Sequence, residues 1–583
     1  MNIKGRYLIL LLVLVVLTIY YPSLFAPVNS VDDNAMEQGL WNLGHVDITG
    51  LFFPGGNGYY YRPLLSLSFI VDRFAWGLQE CIMHLENVLL HAANTVLVFL
   101  ISVHVFRRYR LNDRILPLVA ALLFALHPIN TESVNWLSGR SDLLGGLFLL
   151  SSLLVEIIAL ERKRLLLALP AALLFIAGCL SKDTVVFAFP AFLLLIFCFD
   201  ATQESSRTSF FRHLYEKSGF YLLNCLSVAV YFFMRHLAFS KGDGGISLAG
   251  KGIAGTDYDT LNKLRIVLKT FGFYCKKLLI PLPLNFAIIK ISDLYLILGI
   301  AAIIVCCWFL LRPTVGKVLI LFSAAVLSPS FLVPLGKMAW TPYAERYLYM
   351  PAATFSIAIT LLAAKMLFPS GRVDSKKWLT VTVFFLLSGM AYATTTRNIV
   401  WQDNLTLYQD TLAKTPDFAP VLNELATALQ AHGRNDAARK MFDSISLPDT
   451  EKYHVIVDLN RAVRLASQGN PEGARKLLLS KPCDKSNNYY QKYLTTIIDL
   501  DMKIIEKSKS SRLKAERGNE ITEIIQKLYD CTKDPFYYYR AGQQYLSMKM
   551  TVEAQRYFRL AYENAPKDAY YSAAAKKLSL KLL

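Results

Sequence analysis

Long apolar stretches separated by short charged segments occupy the chain from Tyr7 to Thr395. A helix needs roughly 17 to 25 residues to cross a bilayer, and stretches of about this length recur throughout this region. The pattern predicts about eleven spans, several of them short. Their approximate positions are 7–25, 86–106, 115–128, 142–160, 165–180, 184–199, 219–238, 293–311, 318–335, 349–366 and 378–395. The sequence therefore predicts a polytopic membrane domain over residues 1–396.

Two connections between predicted spans are too long to be simple loops. They run from about Pro27 to Cys81 and from about Phe239 to Asp293. Each contains an apolar, partly amphipathic stretch, Pro63 to Phe74 in the first and Ile266 to Ile280 in the second. A helix of this kind lies at the membrane surface more readily than it crosses the bilayer. We therefore expect both stretches at the interface.

After Arg397 the hydropathy falls, and a helical repeat with tetratricopeptide spacing begins. Small, large, glycine and aromatic or aliphatic positions recur at Ala426, Leu429, Gly433, Ala438 and Phe442, at Ala462, Leu465, Gly469, Ala474 and Leu478, and at Gly542, Tyr545, Lys549, Ala554, Phe558, Ala561 and Pro566. Small residues let two antiparallel helices approach, large ones fill the gap, and proline ends the second helix. One hairpin cannot bury its own apolar face, so neighbours stack into a curved surface suited to polypeptides. Residues 397–583 are thus predicted to form a tetratricopeptide-repeat domain outside the cytoplasm.

Composition excludes several other classes of protein. Of 583 residues, 54% are hydrophobic and only 18% are charged, and the mean hydropathy is +0.35, which a soluble enzyme of this length does not reach. The apolar content, with only 30 Gly and 23 Pro, excludes a disordered or collagen-like chain, and 9 Cys are too few for a disulfide framework. What remains is a membrane protein with a soluble attachment.

The 62 Lys and Arg against 44 Asp and Glu leave a net charge of +18, and their placement predicts an orientation. Basic residues cluster in alternate short connections, at Lys4 and Arg6, Arg107 to Arg114, Arg162 to Arg164, Arg207 to Lys217, Arg312 to Lys317 and Arg372 to Lys377. With eleven spans, all of these connections lie on the same side of the membrane, which the excess of Lys and Arg predicts to be the cytoplasmic side. The N-terminus is then cytoplasmic and the tail lies outside. A cleaved signal peptide is the alternative for the first span, but no A-x-A-like site follows it, and Pro22 and Pro27 favour a retained span.

Two weaker patterns concern the tail. Asn404-Leu405-Thr406 matches a glycosylation acceptor, a motif so short that it is common by chance. Cys483 and Cys531 could form a disulfide in an oxidising compartment, or they are two buried thiols.

Ionisable side chains gather at the predicted external ends of the spans, where the cost of placing charge near lipid makes a functional role plausible. They are Asp32, Asp33, Arg62, His127, Glu132, Arg140, Asp142, Lys182, Asp183, Arg235, Glu345 and Arg346. A carboxylate beside a set of cations suits sugar transfer from a lipid phosphate. The carboxylate takes the proton of the attacking hydroxyl, and the cations neutralise the leaving phosphate.

Each of these residues also has a purely structural interpretation. Asp32 and Asp33 could be a solvated helix end, Lys182 and Asp183 an interfacial ion pair, and His127 a helix cap. Their coincidence on one predicted face favours the functional interpretation.

A series of short motifs appears in a fixed order along the chain: Val31-Asp32-Asp33-Asn34, Tyr61-Arg62-Pro63-Leu64, His84 to His91, Phe124 to Glu132, Gly139-Arg140-Ser141-Asp142, Leu180-Ser181-Lys182-Asp183, Ala344 to Pro351 and Arg397 to Asp403. Each motif alone is weak, but the ordered series resembles the transmembrane and tetratricopeptide-repeat-containing protein O-mannosyltransferases and their prokaryotic relatives. The resemblance covers the membrane region and the start of the tail.

The resemblance implies an all-α GT-C fold, a polytopic membrane glycosyltransferase that uses a polyprenyl-phosphate-linked sugar. Asp32 and Asp33 take the position of the acidic pair that supplies the base, and Arg346 is the best candidate for the donor phosphate. The other residues expected to bind donor phosphate or sugar are Lys182, Arg140, Arg62, His127, Glu132, Arg235, Glu345 and Tyr347.

The chain departs from the family pattern in three respects. It has Lys182-Asp183 where Lys-Glu is usual, Asn130 where a second His is usual, and fewer repeats. The first two changes shorten or remove a polar group near the donor site, so the identity of the sugar does not follow from the resemblance.

The sequence thus predicts an inverting transferase that moves a sugar from a polyprenyl-phosphate carrier to a Ser or Thr hydroxyl of an exported protein, which the repeats hold. The alternatives are a transferase with a lipid or polysaccharide acceptor, and a non-catalytic membrane-anchored scaffold; a transporter is also conceivable. The expected partners are the lipid-linked sugar, a protein acceptor and membrane lipids, without nucleic acid. No tightly bound cofactor or transition metal is expected, and the need for a divalent cation is left open. The expected location is a bacterial inner membrane or an endoplasmic reticulum membrane, with the repeats in the periplasm or lumen.

Overall fold

The structure, a computed structural model, is helical throughout the residues that it describes. These are 3–29, 31, 33, 36–37, 40, 46–54, 60–111, 114–201, 210–240, 250, 253–254, 256, 258–336, 339–367, 377–416, 418–444, 453–467, 469–480, 490–508, 510–532, 535–547, 549–565, 569 and 571–581. Within these ranges the only β-structure is an isolated bridge between Ile288 and Tyr343. The predicted all-α class is confirmed.

The chain divides into two compact units, and the first comprises residues 1–41 and 48–416. Its described α-helices are Ile3–Ile19, Ile48–Phe52, Pro63–Trp76, Glu80–Arg108, Ile115–Ala125, Thr131–Asn135, Arg140–Arg162, Ala168–Ser181, Phe189–Ala201, Phe210–Glu216, Ser218–Ala238, Thr260–Leu279, Tyr295–Leu311, Val315–Leu327, Val333–Gly336, Tyr349–Leu367, Lys377–Val400 and Asn404–Lys414. Short 3₁₀ turns join several of them.

Every predicted span coincides with an apolar helical segment of this unit. Among the described residues, six helices are long and apolar enough to cross a membrane, and a seventh candidate is the pair Ile115–Ala125 and Pro128–Asn135, bent by 44°. Four further apolar helices are shorter, at Gly5–Ile19, Leu165–Ser181, Asp183–Phe199 and Tyr295–Leu311. The fold is therefore that of a multi-pass membrane protein.

Both long connections contribute a helix where the sequence predicted an amphipathic one. Pro63–Trp76 begins with proline, whose fixed φ suits a first turn, and ends at Gly77 with φ of +64°. Thr260–Leu279 is capped by Asp259, whose side chain accepts a hydrogen bond from the amide of Asn262.

The helix Thr260–Leu279 crosses Tyr295–Leu311 at very close range. A Cβ built on Gly272 would lie 1.9 Å from the carbonyl oxygen of Tyr295, and one built on Gly299 would lie 1.8 Å from that of Leu268. Only glycine fits at either position, because any side chain would collide with backbone. The pair of glycines thus attaches the helix Thr260–Leu279 to the bundle.

The two ends of the bundle differ in chemistry. At one end the side chain of His104 contacts Glu161 at 2.8 Å, and the hydroxyl of Tyr109 accepts a hydrogen bond from the amide of Gly316 at 3.2 Å. The helix ends that meet there carry the Lys and Arg of the short connections. The candidate site residues lie at the other end. The predicted separation of basic connections from site residues is present, whereas the compartment that each end faces stays a prediction.

The helix Asn404–Lys414 belongs to the first unit, which reaches Pro416, beyond the boundary after Thr396 predicted from hydropathy. Leu407 and Tyr408 are fully buried, and the side-chain amide of Asn404 donates to the carbonyl of Val28 at 3.0 Å. The amide nitrogen of the glycosylation motif is therefore engaged within the fold. Hydropathy did not reveal this helix because it packs on protein rather than on lipid.

The second unit, residues 42–47 and 417–583, is a succession of helices. They are Ala419–Ala431, Asn435–Ser444, Tyr453–Ser467, Pro471–Ser480, Tyr490–Lys507, Ser511–Thr532, Phe536–Ser547, Thr551–Asn564 and Ser572–Lys581. Three predicted repeats correspond to packed helix pairs, and the turns inside these pairs contain Gly433, Gly469 and Lys549, all with positive φ. Helical hairpins are thus present, while Pro566 and Cys483 lie outside the described residues. Cys531 is an exposed free thiol, so the burial considered for it is wrong.

Candidate active site

The acidic pair of the first connection is represented in the structure by Asp33, since Asp32 lies outside the described residues. Asp33 is buried, and its Oδ1 accepts hydrogen bonds from the amide and the hydroxyl of Ser138, at 3.0 and 2.5 Å. Its Oδ2 accepts from the amide of Asn29 at 3.3 Å. The first connection is therefore fastened to the loop that precedes the helix Arg140–Arg162, and the carboxylate has a fixed position.

Glu132 and Arg346 form a second polar contact, close to that loop. Glu132 Oε1 lies 2.5 Å from Arg346 Nη1, and the guanidinium lies over the rings of Trp136 and Tyr347, 4.7 and 5.0 Å from their centres. The side chain of Arg346 is 11% exposed, in contrast to 3% for Glu132. The aromatic rings hold the planar guanidinium while part of it reaches the surface.

Glu345, the residue before Arg346, has a different partner. Its Oε1 lies 2.6 Å from Lys277 Nζ and accepts from the amide of Asn285 at 3.1 Å. Lys277 also donates to the carbonyls of Pro281 and Pro283. Glu345 is therefore a buried structural acceptor that attaches the end of the helix Thr260–Leu279 to the start of Tyr349–Leu367.

A third contact gathers residues from two other parts of the chain around Asp183. Its Oδ2 lies 2.9 Å from Arg62 Nε, and its Oδ1 accepts from the amide of Tyr61 at 3.1 Å. Arg235 also pairs with Oδ1, and Tyr231 donates to it at 3.4 Å. The ion pair between Lys182 and Asp183 that the sequence left open as a structural alternative is not formed, because Asp183 pairs with Arg62 and Arg235.

Lys182 instead pairs with Asp142. Its Nζ lies 2.9 Å from Asp142 Oδ2 and donates to Ser141 Oγ at 3.2 Å. Burial and the neighbouring charge of Arg62 lower the pKa of Lys182 to about 8, against the attraction of Asp142. Lys182 lies in the connection between the helices ending at Ser181 and beginning at Asp183, and its ammonium group loses its proton as the pH rises through about 8.

These contacts form one electrostatic cluster. Asp142 interacts with Arg62, Lys182 and Arg346, and Lys182 is close enough to feel both arginines. Five cations, Arg62, Lys182, Arg235, Lys277 and Arg346, face four carboxylates, Asp142, Asp183, Glu132 and Glu345, which leaves one positive charge. We call these nine residues the cation cluster. Arg62 and Arg346, 18% and 11% exposed, are the cations through which a ligand can reach it.

Two residues predicted to bind donor are used inside the protein. Arg140 is 2% exposed, and its guanidinium contacts Asp72 at 2.5 Å, Glu86 at 3.0 Å and Asn87 at 3.1 Å. His127 accepts from the amide of Ile129 and contacts the carbonyl of Leu278 at 3.1 Å, which fits the cap interpretation. Any contact of either residue with donor stays a prediction.

Sequence reasoning missed Lys277 and Asp72, the buried partners of Glu345 and Arg140. Both lie in the amphipathic stretches predicted at the membrane surface, and a charged residue on the polar face of such a helix is not unusual. The available signal was a charged residue at the end of each apolar run. Among the described residues, no group of three His, Cys, Asp or Glu side chains has the arrangement of a metal site.

Comparison with known proteins adds relatives but no family description. No family model matches the chain. A protein O-mannosyl-transferase of Caenorhabditis elegans is 24% identical over 447 residues, which is 73% of this chain and 59% of that protein. Protein O-mannosyl-transferase TMTC2 of Homo sapiens is 43% identical over 102 residues, and Tmtc1 of Drosophila melanogaster is 35% identical over 158 residues. These shorter matches cover 18% and 27% of this chain and 12% and 17% of the relatives.

The chain is related to the protein O-mannosyl-transferases. The resemblance inferred from the ordered motifs is thereby confirmed. The chain spans less than two thirds of the length of these relatives, so the similarity does not establish the activity of the whole protein.

Proposed function

We propose that the protein is a membrane glycosyltransferase that moves a sugar from a polyprenyl-phosphate carrier to a Ser or Thr hydroxyl of an exported protein. The observation that carries the proposal is the cation cluster, in which Arg346 and Arg62 are held by carboxylates and aromatic rings and remain partly exposed. The names of the relatives support the reaction class. The apolar helices around the cluster suit a donor whose carrier is a lipid.

The proposed chemistry divides the charged groups by role. A carboxylate of the Asp32-Asp33 pair takes the proton of the acceptor hydroxyl as its oxygen attacks the anomeric carbon, with inversion. The bond from this carbon to the phosphate oxygen breaks, and the lipid phosphate leaves with the bonding electrons. Arg346, Arg62 and Lys182 stabilise the negative charge that grows on it, and groups fixed in advance do so without reorganisation.

The carboxylates that neutralise the cations before the donor arrives have a role in this scheme as well. A guanidinium whose N–H groups all donate to protein acceptors has none left for a phosphate. One that donates to a single carboxylate oxygen keeps its other N–H groups for the ligand. No described residue accepts a hydrogen bond from Nε or Nη2 of Arg346. The phosphate can therefore bind this fork without first breaking the contact to Glu132.

The second unit would hold the acceptor polypeptide, and the site and this unit would lie on the external side of the membrane. The separation of basic connections from the cation cluster supports this orientation.

The test is transfer by the purified protein in lipid nanodiscs, with a panel of polyprenyl-phosphate sugars and an exported protein as acceptor. Arg346→Ala should be nearly inactive, and Arg346→Lys impaired, because the charge stays but the fork is lost. Arg397→Ala is the control, since Arg397 also pairs with a carboxylate, Asp410 at 2.5 Å, and neither residue belongs to the cation cluster. Truncation after Pro416 should abolish protein modification and spare donor hydrolysis. Unchanged transfer by Arg346→Ala would refute the donor site. A non-catalytic scaffold would instead lose partner recruitment on truncation, and substitution of Arg346 would have no effect on it.

A further inference from the structure

Two lysines at the basic end of the bundle lie over aromatic rings. Lys317 Nζ is 4.2 Å from the ring centre of Trp308, and Lys365 Nζ is 3.9 Å from that of Tyr109. The only hydrogen bond of Lys317 to a described residue is to the carbonyl of Arg312, at 3.1 Å. We call Tyr109, Trp308, Arg312, Lys317 and Lys365 the basic corner.

The basic corner differs from the cation cluster in having no carboxylate partner among the residues that the structure describes. Each cation of the cluster has a carboxylate partner, whereas neither Lys317 nor Lys365 forms an ion pair with any carboxylate in the described part of the chain. The two ammonium groups are close enough to repel each other. Cations that are brought together near a low-dielectric medium require a counter-ion, and the described residues do not supply a carboxylate for either lysine.

The ring that supports Lys365 is held in place. The hydroxyl of Tyr109 accepts from the amide of Gly316, so the end of Glu80–Arg108 is joined to the start of Val315–Leu327. Tyr and Trp are enriched at the depth of lipid headgroups, where one face of the ring is apolar and the other is wet. Lysines held over such rings are suited to the level of the lipid phosphates.

An apolar surface continues from the basic corner along the helix Tyr295–Leu311. Ile297, Ile304 and Leu311 share one face of this helix and are 67%, 63% and 79% exposed. Acyl chains can lie along this face while the phosphate contacts the lysines. A ligand that combines an anion with long apolar chains fits both features, and an inorganic anion fits only the first.

We propose that the basic corner is a binding site for the headgroup of an anionic phospholipid. The phosphate lies between Lys317 and Lys365, and the additional negative charge or hydroxyls of the headgroup face Arg312. This proposal is independent of the glycosyltransferase assignment, because it uses no residue of the cation cluster.

The experiment compares lipid binding by the full-length protein in detergent, with phosphatidylglycerol and phosphatidylcholine as probes. Native mass spectrometry counts the retained lipid, and thermal unfolding measures the stabilisation as each lipid is added. The variant is Lys317→Gln with Lys365→Gln. The control, Arg162→Gln with Arg164→Gln, removes the same charge from a connection at the same end, where no aromatic ring contact with these arginines is present among the described residues. Lys317→Arg with Lys365→Arg keeps the charge and its influence on membrane insertion.

Wild type, the control and the arginine variant should bind phosphatidylglycerol more tightly than phosphatidylcholine. Each basic residue near an anionic headgroup accounts for about a fivefold change in affinity, so the glutamine variant should lose roughly 25-fold. The proposal would be overturned if the glutamine variant bound phosphatidylglycerol as tightly as wild type does. It would also be overturned if wild type bound the two lipids equally. Inorganic phosphate serves as a third probe, and stabilisation by phosphate that equals the effect of phosphatidylglycerol would overturn the assignment to a lipid.

Discussion

One carboxylate, that of Glu132, fixes both the side chain and the backbone of Arg346. Its Oε1 binds the guanidinium at 2.5 Å, and its Oε2 accepts from the amides of Glu345 and Arg346 at 2.9 and 3.1 Å. Three hydrogen bonds thereby join Glu132 to a segment 214 residues away in the chain, two of them from Arg346 and one from Glu345. A cation that is held in this way keeps its orientation when a phosphate binds or leaves, which is the condition for effective stabilisation of a leaving group.

The first prediction concerns this contact. Glu132→Gln retains the size of the side chain but removes the charge that orients the guanidinium, so kcat/KM for the donor should fall by about ten- to a hundredfold. Steady-state transfer in nanodiscs measures the effect. Glu161→Gln, which alters a carboxylate paired with His104 at the other end of the bundle, is the control. An unchanged kcat/KM in Glu132→Gln would show that Arg346 needs no orientation by this residue.

The second prediction concerns the base. Asp33→Asn should reduce kcat by roughly two orders of magnitude or more with little change in donor binding, because the amide cannot accept the hydroxyl proton. Ser138→Ala removes one hydrogen bond to Asp33 and keeps the charge, so it should cost only a fewfold loss. Asp32→Asn is measured in parallel, because the sequence does not decide which aspartate is the base. A double variant with wild-type kcat would exclude both.

The third prediction is a pH dependence. Burial lowers the pKa of Lys182 to about 8, so the ammonium loses its proton as the pH rises through this value, and the cluster loses a positive charge. Transfer should therefore decline above about pH 8 and be unaffected by this group below pH 7. Lys182→Arg keeps its charge throughout this range, so its pH profile should lack the alkaline decline. The same decline in both proteins would assign it to another group.

The fourth prediction concerns the repeat unit. Lys549 adopts φ of +62° at a turn where the other two hairpins have Gly433 and Gly469. A side chain in this region of φ costs about 1 kcal/mol, so Lys549→Gly should stabilise the hairpin by roughly this amount. Hydrogen exchange of the helix Thr551–Asn564 in the full-length protein measures it. Gly433→Ala is the reverse change and should destabilise its own hairpin. Faster exchange in Lys549→Gly would contradict the strain argument.

The positions of the membrane helices followed from the sequence because their signal is local. An apolar stretch of sufficient length is a helix wherever lipid surrounds it, since no water is present to satisfy its backbone. The ordered motifs likewise identified the relatives. Hydropathy did not predict that the helix Asn404–Lys414 belongs to the membrane unit, because this helix has ordinary polarity and packs on protein.

The ion pairs of the candidate site, in contrast, did not follow from the sequence. The sequence identified Arg62, Lys182 and Arg346 as candidates, and it left open an ion pair between Lys182 and its neighbour Asp183. The structure pairs Lys182 with Asp142 and Asp183 with Arg62 and Arg235, because adjacent residues in an extended segment point in different directions. The sequence also predicted that Arg140 binds donor phosphate or sugar, but in the structure its guanidinium forms ion pairs with Asp72 and Glu86.

The sequence by itself therefore determined the helical class, the location of the apolar segments, the separation of the two kinds of charge and the ancestry of the chain. These properties depend on composition and spacing within short windows. Only the tertiary structure decided which carboxylate meets which cation, that Lys277 belongs to the cluster, and that Lys317 and Lys365 lie close to each other. Ion pairing depends on distances of a few ångströms between residues far apart in the chain, and these distances are set by how the helices pack.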